Sequence, residues 1–212
     1  MINILLADDH AAIRKGLKLF ISEVIAHAAI DEAADGDAAL KKIKEKDYAL
    51  IVLDGNMPNT DSFNLIGNIL AYRPGANILM FTMNPEEVYG KKYLQLGVKG
   101  YLSKTSPEEE IKKAVELVIK GRNYLSPELT QNLMEDALGK KSANPFDRLS
   151  PREFEIVTHL VKGRSLSEIC NLLNLHSSTV GTHKAKIFEK LQCTNIIDLN
   201  SMAKLYHITP GE

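Results

Sequence analysis

The 212-residue chain is poor in cysteine, has almost no net charge and contains no long apolar run. Two cysteines, Cys170 and Cys193, are too few for a disulfide framework or a thiolate zinc cage, and they fit a reducing compartment such as the cytoplasm. His176 and His183 do not complete a metal-ligand set with them. No apolar run approaches the ~18–20 residues that a membrane span needs. The opening Met1-Ile-Asn-Ile-Leu-Leu lacks the basic stretch and small-residue cleavage site of a secretory signal, so a cytoplasmic protein with no membrane partner is expected. Internal repeats, low-complexity tracts, a Ser-His-Asp arrangement and a phosphate-cradling glycine loop are all missing. With 26 Lys+Arg against 27 Asp+Glu, the formal charge of −1 also lacks the basic bias that often marks a nucleic-acid binder. What is present is ordinary core material, 44% hydrophobic and 25% charged, in a length that suits one or two domains.

The chain divides by pattern. Up to residue 121, short apolar runs (Ile2–Ala7, Ala28–Ala33, Ala49–Leu53, Asn77–Phe81, Gly100–Leu102) alternate with amphipathic stretches (Ala11–Ala26, Asp37–Lys46, Phe63–Tyr72, Glu86–Leu96, Pro107–Lys120). Most of the runs are apolar throughout, as strands buried on both faces of a parallel sheet are. The β-α repeat predicts such a sheet with helices on both faces. Ser106-Pro-Glu-Glu109 is expected to open the last helix as a capping box with proline at its first position. One more helical stretch runs from Ser126-Pro127 to Leu138, and Gly139–Asn144 predicts a flexible tether. Beyond it the pattern is all-helical. Ser150-Pro-Arg-Glu153 and Ser165-Leu-Ser-Glu168 predict capping boxes, Asn174–Ser177 a tight turn, Ser178–Leu191 a third helix and Asn195–Asp198 the cap of a fourth. The expected division is a sheet domain at 1–121, a linker with one helix at 122–147 and a helical domain at 148–212.

In the first half the polar residues fall at strand ends: Asp8 and Asp9 after the first strand, Asp54 after the third, Thr82 after the fourth and Lys104 after the fifth. Ligands of an open parallel sheet bind outside the carboxyl ends of its strands, so these residues converge on one site. Three carboxylates suit Mg²⁺, a hard ion that takes oxygen ligands and keeps several waters. A cation beside Asp54 makes a phosphoryl group on that side chain tolerable, with Lys104 as a second positive charge and Thr82 as a hydroxyl donor. Asp54 is then the nucleophile that accepts phosphate as an acyl phosphate. Singly, each residue reads equally well as a cap, a turn or a surface charge; in order at consecutive strand ends they read as a set. Asp-x-Asp phosphatases form a related acyl phosphate but need a second acid two residues after the nucleophile. Here Asn56 stands there and cannot be a general acid, so an enzyme beyond autophosphotransfer and slow self-dephosphorylation is not expected.

Asp8-Asp9, Asp54 followed by Met57-Pro58, Thr82, and Tyr101 three residues before Lys104 resemble the receiver domain of two-component response regulators over residues 1–121. The resemblance implies a doubly wound five-stranded parallel sheet in flavodoxin-like order 2-1-3-4-5, and phosphorylation of Asp54 by a sensor histidine kinase. It further implies Mg²⁺ held by Asp9, Asp54 and the Asn56 carbonyl with help from Asp8, and Thr82 and Tyr101 as switch residues. Ser62 stands where the family usually has glycine, and Met83 where it usually has a small residue. A bulky Met83 is expected to narrow access to Asp54, slowing both entry of small phosphodonors and hydrolysis.

In the second half, two short helices joined by a tight turn have the layout of a helix-turn-helix, whose second helix enters the major groove. Val180, Ile187 and Leu191 can anchor that helix, while Thr179, Thr182, Lys186 and Lys190 present hydroxyls and ammonium groups to phosphates and bases. An amphipathic helix with a solvated lysine face gives the same pattern. Leu149-Ser-Pro-Arg-Glu153, Gly163-Arg-Ser-Leu-Ser-Glu-Ile169 and Thr179-Val-Gly-Thr-His183, with Ile187 and Lys190-Leu191, resemble the LuxR/FixJ-type (NarL-type) DNA-binding domain. That resemblance implies a four-helix module that dimerises on double-stranded promoter DNA, with Thr179, Gly181, Thr182, Lys184, Lys186 and Lys190 at the interface and RNA polymerase as a further candidate partner. Gly181 replaces a usual DNA-facing lysine, Leu166 and Ser167 replace an Asn-Lys pair, and Ile196 stands where arginine is common. The stripe Leu199, Met202, Ala203 and Tyr206 reads either as a contact between DNA-bound domains or as core.

The charge divides as net −2 over residues 1–121 and net +1 over 150–212, with Lys184, Lys186 and Lys190 gathered on one helix. The neutral total therefore excludes nothing. It predicts few phosphate contacts, a shallow salt dependence and reliance on dimerisation. The expectation is a phosphorylation-controlled transcriptional regulator. The alternative is a phosphorylation-dependent protein-interaction module whose degenerate helix-turn-helix no longer binds DNA.

Overall fold

A computed structural model describes residues 2–138, 144–173 and 175–208. Five parallel strands, β1 (Ile2–Ala7), β2 (Ala28–Ala33), β3 (Leu50–Leu53), β4 (Ile78–Thr82) and β5 (Gly100–Ser103), form one sheet in the order β2-β1-β3-β4-β5. Alternation of side chains along each strand feeds two apolar layers. Ile4, Leu6, Leu50, Val52 and Phe81 point to α1 (Ala11–Val24) and α5 (Glu108–Ile119), where Leu17, Ile21, Ala114 and Val118 cover them. Leu5, Ala7, Ile51, Leu53 and Met80 face α2 (Gly36–Glu45), α3 (Ser62–Tyr72) and α4 (Glu86–Leu96) on the other side. The register pairs Ile4 with Leu50 and Ala7 with Leu53, which brings Asp8 and Asp54, each the next residue, to the same edge.

The capping box expected at Ser106 does not form. Ser106 N–H donates to the Ser103 carbonyl in a turn, Pro107 takes the N-cap position, and α5 starts at Glu108 with Glu108, Glu109 and Glu110 at its positive end. The expected box at Ser150 is present, with the Glu153 backbone and side chain each paired to Ser150. So is the exchange between Ser165 and Glu168.

After α6 (Pro127–Ala137) the tether expected at Gly139–Asn144 lies outside the described residues except for Asn144, which caps a 3-10 turn, Pro145–Arg148. The helical domain follows as α7 (Pro151–Val161), α8 (Leu166–Leu173), α9 (Ser177–Leu191) and α10 (Ile196–Leu205). The turn expected at Asn174–Ser177 is described from Leu175, whose N–H donates to the Cys170 carbonyl. Leu199 and Ala203 are fully buried, and Met202 and Tyr206 pack on the same core, with the Phe146 ring edge-on to Tyr206 at 6.0 Å. The α10 stripe is therefore core; Ile197 and Leu205 are the apolar side chains that α10 most exposes.

The two domains share an apolar core. Phe154 of α7 stands edge-on to Tyr89 of α4 at 5.2 Å and lies 6.1 Å from Phe63 of α3, joining one cluster of buried residues across the boundary. Lys92 of α4 is fully buried at this seam and donates from Nζ to the carbonyls of Asp147 (3.1 Å) and Leu149. Burial holds its pKa down at about 8, against the pull of the Asp147 charge.

Candidate functional site

The strand ends bring Asp8, Asp54, Thr82 and Lys104 together. Asp8 and Asp54 are 2% exposed and Thr82 is fully buried, so the chemistry sits in a desolvated notch, not on an open surface. Lys104 Nζ lies 2.7 Å from Asp8 Oδ2 and 2.9 Å from Asp54 Oδ2. The other oxygen, Asp54 Oδ1, accepts from Asn56 N–H at 3.1 Å. Burial raises the pKa of Asp54, and the Asp8 charge adds to this, against the Lys104 and Asn56 donors. Lys104 is displaced upward, because its two carboxylates outweigh the burial that would lower it.

Asp9 and His10 complete a cluster in which Asp8, Asp9, His10 and Asp54 each present a donor atom within 4.8 Å of the others. Two buried carboxylate oxygens, Asp8 Oδ2 and Asp9 Oδ1, have no hydrogen bond; the Lys104 ammonium beside Asp8 Oδ2 is close without hydrogen-bonding geometry. Buried carboxylate oxygens left in that state suit a bound cation.

The switch candidates, Thr82 at the end of β4 and Tyr101 in β5, both bond to the loop residue Asn84. Thr82 Oγ1 accepts from Asn84 N–H at 3.3 Å, and Asn84 Oδ1 accepts from Asn56 Nδ2 at 2.9 Å, tying the β3 and β4 ends together. Glycine is required at Gly55, where a Cβ would come within 2.9 Å of Thr82 Oγ1. The Tyr101 ring is fully buried, and its hydroxyl donates to the Asn84 carbonyl at 2.6 Å. Tyr101 lies 5.9 Å from the Tyr93 ring, which stacks on Phe63 at 4.7 Å. Ser62 uses its hydroxyl, which glycine would lack, in a buried 2.7 Å hydrogen bond with Tyr93 OH. Met83 points outward, 61% exposed.

In the helical domain, Val180, Ile187 and Leu191 are buried and leave Gly181, Thr182 and Lys186 exposed on α9, with Thr179, Lys184 and Lys190 half-buried. The sheet domain packs mainly on α7 and leaves this face open. Lys190 is not free at the surface, because its Nζ donates to Glu153 Oε2 at 2.6 Å, the same oxygen that accepts from Ser150 N–H. Lys184 lies over the Phe188 ring at 5.4 Å, and Thr182 Oγ1 donates to the Ser178 carbonyl.

A further set of polar residues, absent from the sequence expectations, lies between the domains. Asp61 caps α3 with one oxygen, accepting from Phe63 and Asn64 N–H, and turns the other toward His159 of α7. Burial pushes Asp61 up, but hydrogen bonds from His159, Glu155 and the Asn64 backbone outweigh it and hold the carboxyl at about 2. Glu155 is pushed up to about 9, by burial first and then by Asp61, while Arg152 pulls against this. An aspartate before a helix signals a cap; nothing local to the chain signals its second partner.

The family model of the response regulator receiver domain matches residues 4–116, and that of the bacterial regulatory proteins of the luxR family matches residues 147–203. The chain belongs to the response regulators. Response regulator GacA of Pseudomonas protegens is 30% identical over 203 residues, covering 96% of this chain and 95% of its own. Response regulator UvrY of Escherichia coli K12 is 29% identical over 204 residues, covering 96% and 94%. Among solved structures, RcsB from Salmonella enterica serovar Typhimurium, bound to promoter P1flhDC in the presence of phosphomimetic BeF3-, is similar with a TM-score of 0.73 at 25% identity, covering 95% and 97%. This response regulator thus joins a receiver to a LuxR-type DNA-binding domain, the make-up of transcriptional regulators in two-component systems, not of classical enzymes. No helix among the described residues is long and apolar enough to cross a membrane.

Proposed function

We propose that Asp54 is the phosphoacceptor of this response regulator and that phosphorylation controls promoter binding through α9. The observation that carries this is the desolvated Asp8–Lys104–Asp54 arrangement, with Lys104 Nζ 2.7 and 2.9 Å from the two carboxylates. A sensor histidine kinase supplies the phosphoryl group: a bond from an Asp54 carboxylate oxygen to phosphorus forms as the bond to the donor's histidine nitrogen breaks. Lys104 offsets the charge that arrives, and Thr82 turns its hydroxyl from Asn84 N–H toward the phosphoryl oxygens. Tyr101, bonded to the same Asn84 loop, repacks against Tyr93. Asp8, Asp9, Asp54 and the Asn56 carbonyl are the residues that would hold Mg²⁺, which supplies positive charge beside the acceptor when bound. Apart from this self-phosphorylation and slow self-dephosphorylation, the protein is not an enzyme.

For DNA, the exposed Thr182 and Lys186 are the principal contacts, with Thr179, Gly181 and Lys184 beside them. Lys190 reaches phosphate only by leaving Glu153. The working division is a receiver at 1–121, a linker at 122–147 and an output domain at 148–212, in a cytoplasmic protein that dimerises when active and can contact RNA polymerase. The relative RcsB, solved on a promoter with a phosphomimetic, supports this reading. The test is a gel shift on genomic fragments with and without a small-molecule phosphodonor. A sequence-selective shift strengthened by the donor is expected, and no selective shift in either state would favour a protein-interaction module. Asp54→Ala is expected to abolish acid-labile phosphorylation; persistent labelling would move the acceptor elsewhere.

A further inference from the structure

His10 stands at the N-cap of α1 but makes no side-chain hydrogen bond to the helix it precedes. Its backbone N–H donates to Asp8 Oδ1 at 2.8 Å, and its ring turns back over the carboxylates. There Nδ1 lies 2.8 Å from Asp9 Oδ1 and 3.3 Å from Asp8 Oδ1. The longer contact is a hydrogen bond to Asp8 Oδ1, and the closer one is an ion-pair contact to Asp9 Oδ1, a buried oxygen without a hydrogen bond. Nδ1 thus joins the carboxylate oxygens of Asp8, Asp9 and Asp54 in one cluster of donor atoms, all within 4.8 Å of one another. Adjacent vertices of an octahedral ion with bonds of ~2.1 Å are about 3 Å apart, and the two His10 distances bracket that spacing. Lys104 lies on the Oδ2 oxygens of Asp8 and Asp54, so His10 approaches Asp8 from its other oxygen. The His10 side chain is 64% exposed, so the ring reaches the carboxylates from the solvent side of the site.

We infer that His10 is a further protein ligand of the cation held at the phosphoacceptor site, and that its imidazole nitrogen shifts the site's preference toward nitrogen-accepting divalent ions such as Co²⁺, Ni²⁺ or Fe²⁺ relative to Mg²⁺. Oxygen donors suit Mg²⁺, and imidazole favours the later first-row ions. The inference rests on the reading of Asp8, Asp9 and Asp54 as a metal site, and it makes the phosphoacceptor sensitive to which divalent ion is present.

The test uses the full-length protein with Mn²⁺ as a paramagnetic probe, read by electron spin-echo modulation, together with Co²⁺ and Mg²⁺ affinities. Bound Mn²⁺ is expected to show nitrogen modulation that changes when histidine is ¹⁵N-labelled and vanishes in His10→Ala. The same variant is expected to bind Co²⁺ about tenfold or more weakly, the range seen when the supports of a metal ligand are removed, with Mg²⁺ affinity little changed. Mn²⁺ that binds without histidine modulation overturns the inference and leaves the metal site standing. So does modulation that survives in His10→Ala, or an equal or higher Co²⁺ affinity in that variant. Mn²⁺ and Co²⁺ binding that is absent, or unchanged in Asp9→Asn and Asp54→Asn, removes the metal-site reading and the inference together.

Discussion

His159 Nε2 of the output domain lies 3.4 Å from Asp61 Oδ2 of the receiver, and both side chains are about nine-tenths buried where α7 meets α3. Glu155, one turn before His159 on α7, is pushed up by burial and by the charge of the same aspartate. Arg152 pairs with Glu155, and Arg164 Nη1 lies 3.1 Å from His159 Nδ1, so a charged network closes the seam from the output side.

Domain docking is therefore expected to be proton-linked. Glu155 is raised from 4.5 to about 9 in the docked protein, so its contribution is fully present below about pH 4.5 and is lost as pH rises toward 9. Asp61 works in the opposite sense, contributing above its ordinary 3.8 and losing that contribution only as pH falls to about 2. Between pH 5.5 and 9 the docked population is expected to fall, by at most tenfold per pH unit for one proton. Spin-label distances between the receiver and α10 measure this, and Glu155→Gln is expected to flatten the profile.

Lys104→Met leaves Asp8 and Asp54 facing each other without their shared cation. Removing one partner of a buried ion pair costs about 3–5 kcal/mol, so Tm is expected to drop. Mg²⁺ is expected to raise the Tm of the variant more than that of the wild type, because it restores the missing positive charge. Thermal unfolding with and without Mg²⁺ checks both signs.

Gly181→Lys is expected to stabilise the output domain and strengthen DNA binding together. The position is exposed, and nothing lies within 4 Å of an added Cβ. Replacing a mid-helix glycine gains about 0.5–1 kcal/mol, and an added phosphate contact steepens the salt slope by about 1. A slope unchanged between the two proteins would place residue 181 away from the DNA backbone.

Met83→Ala is expected to speed both phosphorylation by small donors and decay of the acyl phosphate. The side chain directly follows Thr82 and is 61% exposed. Equal rates in the two proteins would show that Met83 leaves the entrance clear.

The sheet was legible because strands buried on both faces are apolar throughout, and the acceptor cluster because residues following strands share one edge. Element ends were less so: Ser106 has the residues of a capping box, but the turn through Ser103 uses its backbone first. The roles of Asp61, Glu155 and Lys92 were not legible, since each is ordinary in its own segment and becomes buried only when α7 docks on α3 and α4. Lys190 carries the same lesson. Its spacing along α9 puts it with Lys184 and Lys186, and only the fold brings Glu153 within 2.6 Å. The α10 stripe was ambiguous for a similar reason, because what covers it includes Phe146, far upstream in the chain.

Phe154 packs the two halves against each other. Its ring belongs to the output domain by sequence, yet its neighbours Phe63 and Tyr89 are receiver residues. Pulling the domains apart exposes apolar surface on both, at a cost of about 25 cal/mol per Å². Calorimetry of the unphosphorylated chain is expected to give a single endotherm, and Phe154→Ala to split it into two. A phosphoryl signal that parted the domains would also end their mutual stabilisation, and would leave the separated state easier to unfold than the docked one.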